Sequence, residues 1–392
     1  MVLTACGVAD ARHIDSAAGE VASSRAVNIY AHAGSDALAA VARAARPLVY
    51  VPNSLGASVT VIDPSTYRVV RTFKTGRVPQ HVVPSYDLRK LWVANNGGNS
   101  LTPIDPVTGE DGAPVPVDDP YNMYYTPDGK YAMIIAEKRR RIDFRDPETM
   151  KLADSLPVAC MGIDHMEFTA DARYAIATCE FSGQLAKIDL RSHQVVGYLR
   201  LDPTRWQSIK RRLSDIVHRR PGRSLPLEVP SMPQDIRSSP DGSVFYVADM
   251  MAGGVYLVDP VKLERIGFLE TGIGTHGIYP SRDGKLLYVT NRGWTSIYGG
   301  RRGPGSISVV DPAQRRVVAT WSIPGGGSPD MGNVTADGRE LWVSGRYDDE
   351  VYVFDTAKGT LTHRIPVGRE PHGLAVWPQP GRYSLGHTGN MR

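Results

Sequence analysis

The sequence is poor in cysteine, in long apolar runs, in surplus charge and in recognisable catalytic signatures. Three cysteines occur in 392 residues, so at most one internal disulfide can form. No apolar run reaches the ~20 residues of a membrane-spanning helix. The formal net charge is only +4, which gives no general pull towards nucleic acid or anionic membranes. No Gly-x-Ser-x-Gly, zincin, Walker or dinucleotide pattern is present, so the best-marked hydrolase and nucleotide-binding classes find no support.

What is abundant is turn chemistry. There are 39 glycines and 29 prolines in an otherwise ordinary globular composition, 42% hydrophobic and 22% charged. A motif recurs along the chain: a strand, a Pro/Asp/Gly turn, a second strand, a polar loop, then a third strand ending in Asp. Thr126-Pro127-Asp128-Gly129, Ser239-Pro240-Asp241-Gly242 and Arg282-Asp283-Gly284 are such turns. Asp-Gly between apolar runs marks a hairpin, because glycine accepts the positive φ of a tight turn. The strands that follow, such as Leu91-Trp92-Val93-Ala94 and Phe245-Tyr246-Val247-Ala248, are made of β-branched and aromatic residues that suit a pleated surface.

The closing aspartates are Asp63, Asp105, Asp146, Asp189, Asp259, Asp311 and Asp355. Their spacings, by subtraction, are 42, 41, 43, 70, 52 and 44. A four-stranded unit every ~40–45 residues is a propeller blade, so seven landmarks mean seven blades. Each Asp is read as a structural turn cap. The first blade lacks an innermost strand, and Gly373–Trp377 at the other end has no partner. Pairing the two closes the ring and removes the sheet edge. The expected fold is all-β: a seven-bladed β-propeller over 47–377, with an insertion at 201–230. Residues 1–46 form a tether or lead-in, and 378–392 a tail that folds back on the propeller and brings His387 to the other histidines.

Tyr288-Val289-Thr290-Asn291, with variants at Leu91–Asn95 and Leu48–Asn53, resembles the YVTN repeat of the YncE-like propeller family over about 47–377. The resemblance implies the fold and leaves function open, since such folds host many activities. Near the start, Leu3-Thr4-Ala5-Cys6-Gly7 resembles a bacterial lipobox. It implies lipidation at Cys6 and an extracytoplasmic, membrane-anchored protein, although the usual basic and apolar leader does not precede it. In an exported chain Cys160 and Cys179 either pair or remain two small buried thiols.

Chemistry is expected at the channel mouth, where the innermost strands begin. One column of starting residues reads Gln80, Tyr121, Asp164, Gln234, His276, Asp330, His372. The next reads His81, Asn122, His165, Asp235, Gly277, Met331, Gly373. Neighbours in a strand face opposite ways, so one column alone should line the channel. His81, His165, His276 and His372 are the candidate ligands of a transition metal (Cu, Zn or Fe), with Asp164, Asp235 and Asp330 behind them. The competing reading makes Pro371-His372-Gly373 a turn device. Seven methionines, 123, 161, 166, 232, 250, 251 and 331, fall on the same face and favour an adaptable apolar pocket over copper ligation. Asn96, Tyr121, Asn122, Gln234, Arg292, Asp330 and Arg346 are the candidate ligand-binding residues. Glu180 and Asp164 are the candidate catalytic groups, with Glu167 as a further acid or base.

Two insertions lie at the mouth. Residues 203–220 alternate at helical spacing, with Lys210, Arg211, Arg212, Arg219 and Arg220 on the polar side. Residues 292–305 carry Trp294, Tyr298, Arg301 and Arg302. The leading functional expectation is an exported binding protein holding a small molecule, a metal or a protein segment at the mouth. A metal-dependent lyase, lactonase or oxidase is the alternative. A third reading is an interaction module in which the basic helix, 205–220, meets nucleic acid or a partner.

Overall fold

The structure is a computed structural model that describes residues 27–202, 229–297, 302–387 and 390–392. The expected helix at 203–220, Cys6, Tyr298 and Arg301 lie outside the described residues.

Seven four-stranded antiparallel sheets surround one axis. From blade one to blade seven the innermost strands are Ala375–Trp377, Pro79–Pro84, Pro120–Tyr125, Ile163–Phe168, Pro233–Ser238, Thr275–Pro280 and Pro329–Val334. Ala375–Trp377 pairs with Leu48–Asn53 in the register Leu48 to Trp377, Val49 to Val376 and Tyr50 to Ala375. The ring therefore closes with strands from both ends of the chain in one blade.

The turns follow from the residues that mark them. Asp128 Oδ1 accepts from the Lys130 amide at 3.0 Å, and Asp241 Oδ1 from Ser243 at 3.1 Å. Gly129 and Gly242 take φ of +70° and +73°. The landmark aspartates cap the next turn: Asp63 Oδ1 accepts from Ser65 N at 2.8 Å and Asp259 Oδ1 from Val261 N at 2.9 Å. Core residues lie between blades. Trp342, Val351 and Val353 of blade seven pack against Val49, Val51 and Val376 of blade one.

On the axial side the innermost strands meet other backbone only in isolated bridges, such as Tyr124 with Gly386 and His81 with Gly373. Polar side chains take up amides of the next blade there: Asp235 Oδ2 accepts from Ile278 N at 2.9 Å, Asn333 Oδ1 from Val376 N at 3.0 Å, and Glu167 Oε2 from Ser238 N at 3.3 Å.

Residues 27–46 and the C-terminal tail pack on the side opposite the mouth, among the turns between first and second strands. Tyr30 Oη donates to Ser238 O at 3.1 Å, and Ala42 and Ala45 are buried. Residues 27–46 are thus not a free tether; their small apolar side chains are covered by the propeller. The tail runs along blade three: Tyr125 N donates to Leu385 O at 3.0 Å and His387 N to Met123 O at 3.1 Å. It enters the channel from the turn side and does not cross the mouth. Cys160 and Cys179 form a disulfide with a Cα–Cα distance of 5.9 Å, which ties the segment entering the innermost strand of blade four to the end of its second strand, Tyr174–Cys179. Among the described residues no helix is long and apolar enough to cross a membrane.

Candidate functional site

The innermost strands do not alternate simply at the mouth. Pairing with the second strand shifts register between Pro79 and His81, Pro120 and Asn122, Ile163 and Met166, Pro233 and Ile236, Thr275 and Ile278, and Pro329 and Gly332. A bulge re-aims side chains, so residues of both columns reach the axis. The expectation of a single channel-lining column fails for this reason. His276, Asp330 and His372 come from one column, His81, His165 and Asp235 from the other, and all six are buried.

Asp330 organises the upper layer. Its Oδ1 accepts from Arg292 Nε at 2.7 Å and Nη2 at 2.5 Å, with His276 Nδ1 at 3.0 Å. Its Oδ2 accepts from His372 Nδ1 at 2.6 Å. Burial alone would raise the Asp330 carboxyl, but Arg292, His276 and His372 outweigh it and hold it well below the usual carboxylate range. Burial, then the Arg292 guanidinium, lowers His276 to about 4; burial, then Arg346, lowers His372 to about 3. Both rings are neutral at physiological pH. Arg292 Nη2 donates to His276 Nε2 at 2.6 Å, which leaves the His276 proton on Nδ1. His372 also carries its proton on Nδ1, so Nε2 presents a lone pair, buried and without a protein partner.

Arg346 stands beside this group. Its Nε and Nη1 are buried with no hydrogen-bond partner, and the nearest carboxylates are Asp330 at 3.8 Å and Glu370 at 3.9 Å. Glu180 feels its charge, with Glu137 and Asp164 close to Glu180; Asp164 Oδ1 lies 3.0 Å from His165 Nε2. Gln234 Nε2 donates to Glu180 Oε2 at 3.0 Å. Burial pushes Glu180 up to about 7. Burial, then neighbouring carboxylates, pushes Glu137 and Asp164 well above the usual range. Tyr121 is buried at this level, its ring 5.5 Å from that of His81.

Deeper in the channel lie His81, His165 and, rising from the tail, His387. Their ring centroids are 5.4 Å (His81 to His165), 5.0 Å (His81 to His387) and 4.4 Å (His165 to His387) apart. Asn122 Nδ2 lies 3.2 Å from Nδ1 of both His165 and His387. Burial, then neighbouring rings, holds all three imidazoles well below their ordinary value. Of the four candidate metal histidines, His276 and His372 serve Asp330 and His165 lies with His387, while His81 stands between the two groups, its ring 4.9 Å from that of His372.

Other expected residues are elsewhere. Asn96 Nδ2 donates to Asp119 Oδ1 at 2.8 Å, a buried loop contact that removes it from the ligand set. Glu167 binds Arg392 Nη2 at 2.7 Å near the turn side, and this ion pair occupies the carboxylate. The methionines scatter. Met123 and Met166 are interblade core, Met161 is exposed, and Met232, Met250 and Met251 cluster with Phe181. Among the described residues Met331 Sδ touches a site histidine, 3.1 Å from His276 Nδ1.

The fold and site define a seven-bladed β-propeller with a polar, histidine-rich channel. The chain belongs to the YncE-like β-propeller family, whose model matches residues 13–147 and 227–380. No protein of curated function matches it. Among solved structures it is similar to a functionally unknown protein from Desulfotomaculum acetoxidans (TM-score 0.63, 12% identity, covering 85% of this chain and 100% of that one). It is also similar to hydrazine synthase of Kuenenia stuttgartiensis (TM-score 0.56, 16% identity, 74% and 87%) and to the dihydro-heme d1 dehydrogenase NirN (0.58, 15%, 84% and 74%). Likeness at these identities establishes the fold alone.

Proposed function

We propose that this protein is an exported binding protein whose channel mouth takes a small anion bearing a carboxylate or phosphate group and an O–H. The observation that carries this reading is Arg346, whose Nε and Nη1 are buried without a partner beside the free His372 Nε2. A buried guanidinium with unmet donors favours an oxyanion, to which it binds in bidentate fashion. His372 Nε2 offers a lone pair, so the ligand must bring a proton there. Arg292 is already neutralised by Asp330, and Arg346 supplies the remaining positive charge.

The test is calorimetric titration of the purified, EDTA-treated protein with inorganic phosphate and with sulfate. Phosphate carries the required O–H at neutral pH and sulfate does not, so phosphate is expected to bind at least tenfold tighter. Arg346→Gln should weaken phosphate by about ten- to a hundredfold, the value of about 1.5–3 kcal/mol for a charged hydrogen bond. Equal binding of the two anions, or no effect of Arg346→Gln, sinks the reading. Export is supported by the Cys160–Cys179 disulfide, which a reducing cytosol would keep open. Fractionation of cells carrying Cys6→Ser tests the lipid anchor, since that variant should leave the membrane fraction. One observation favours the enzymatic alternative: Glu180 near 7 is suited to acid–base work at neutral pH.

A further inference from the structure

The lower layer of the channel holds a second constellation that the mouth reading does not use. His165, Asp235 and His387 each offer a ligand atom, and these atoms lie within 4.8 Å of one another. All three side chains are fully buried. They come from blade four, blade five and the C-terminal tail, so tertiary folding alone assembles them. Asn122 holds both imidazoles in place. Asp235 Oδ1 lies 3.7 Å from His387 Nε2 and also takes the Ile236 amide and Arg237 Nη1, 3.1 Å away, while Oδ2 accepts the Ile278 amide at 2.9 Å.

His81 completes the group. Neither of its ring nitrogens has a protein hydrogen-bond partner, although the residue is fully buried. Such a ring costs stability unless something else engages it. With Zn–N bonds of about 2.0–2.1 Å, two imidazoles on one tetrahedral ion have centroids about 5 Å apart. The centroids of His81 lie 5.4 Å and 5.0 Å from those of His165 and His387. Neither nitrogen of the His81 ring is bound elsewhere, so the ring is free to turn towards the same ion; it also lies 4.9 Å from the His372 ring.

We propose that a divalent transition-metal ion binds His165, Asp235 and His387 with His81 as fourth ligand, and that binding fastens the C-terminal tail into the channel. Three imidazoles and one carboxylate suit Zn²⁺ or Cu²⁺. The Met331 thioether contacts His276, which is not one of these ligands. Because His387 belongs to the tail, an ion there ties residues 378–392 to blades four and five.

The experiment uses the full chain, stripped with EDTA and titrated with Zn²⁺ against a chromophoric chelator. One ion per chain is expected. His387→Ala and His165→Ala should each weaken it at least tenfold, whereas His32→Ala, on the exposed lead-in, should not. Since a channel variant can disturb folding, a second readout is taken on the unaltered protein: release of C-terminal residues by a carboxypeptidase should slow several-fold when zinc is added. No stoichiometric zinc, affinity unchanged by His387→Ala, or tail release indifferent to zinc would each overturn the proposal. None of these outcomes bears on the phosphate titration, which is carried out without metal.

Discussion

Arg392, the last residue of the chain, donates through Nη2 to Glu167 Oε1 at 2.7 Å inside the innermost strand of blade four. Glu167 is fully buried and Arg392 nearly so, and the guanidinium also lies 5.0 Å from the Tyr30 ring. This pair locks the C-terminal tail, and with it the segment around Tyr30, onto the turn side of the channel. Arg392→Ala leaves a carboxylate in a closed interior and should cost about 3–5 kcal/mol, whereas replacing both partners with apolar residues should cost less. Urea denaturation of the single and double variants checks this; equal losses would contradict it.

Ring closure rests on three residues. Trp377 is almost fully buried, and Ala375–Trp377 completes the sheet begun by Leu48–Asn53. A chain ending at His372 should lose its single cooperative thermal transition, because blade one would expose an unpaired edge towards the axis. Calorimetry reads this directly. An unchanged melt would mean that the closing strand is dispensable.

The Cys160–Cys179 bridge spans a sequence separation of 19. Closing a loop of that size restricts the unfolded chain by about 3 kcal/mol. The double variant Cys160→Ser/Cys179→Ser should therefore unfold at lower denaturant by that amount. Wild type measured with a strong reductant should match it, and a match confirms that the bridge is the cause.

Glu180 sets a pH dependence with a definite sign. Burial raises its folded pKa from the ordinary 4.5 to about 7. Between those values the folded chain holds a proton that the unfolded chain has lost. Stability conferred by the protonated group is thus fully present below about 4.5 and falls as pH rises through 7. Glu180→Gln should flatten that decline. Denaturation curves at pH 5 and pH 7.5 for both proteins measure it; identical slopes would show that Glu180 is not the group responsible.

Gly373 is tied to the histidines by contact. A Cβ there would overlap the His81 ring. Gly373→Ala should displace His81 and lower the melting temperature, and a companion Gly267→Ala in an outer strand should do far less.

The blade count, the Asp caps and the closing strand were legible because they are local or periodic. Asp63 and Asp259 cap turns two residues away, and hairpin glycines such as Gly129 need only their own φ. The disulfide was one of two open readings, and the Cα–Cα distance settles it. The histidine columns, with His276 and His372 in one and His81 and His165 in the other, were legible in the sequence; that both columns reach the axis was not. A bulge at the start of six innermost strands breaks the two-residue alternation on which the single-column argument stood. Asn96 looked like a ligand residue by position, and only the placement of Asp119 shows where its amide is used.

By itself the sequence determined a ring of seven antiparallel blades, since strand period, turn residues and repeat length are written along the chain. Tertiary structure alone decided which side chains meet on the axis. His81, His165, Asp235 and His387 come from blades two, four and five and from the tail, so their proximity depends on closure of the whole ring. The tail's direction of approach was decided in the same way, by the burial of Glu167 and the need of that carboxylate for Arg392.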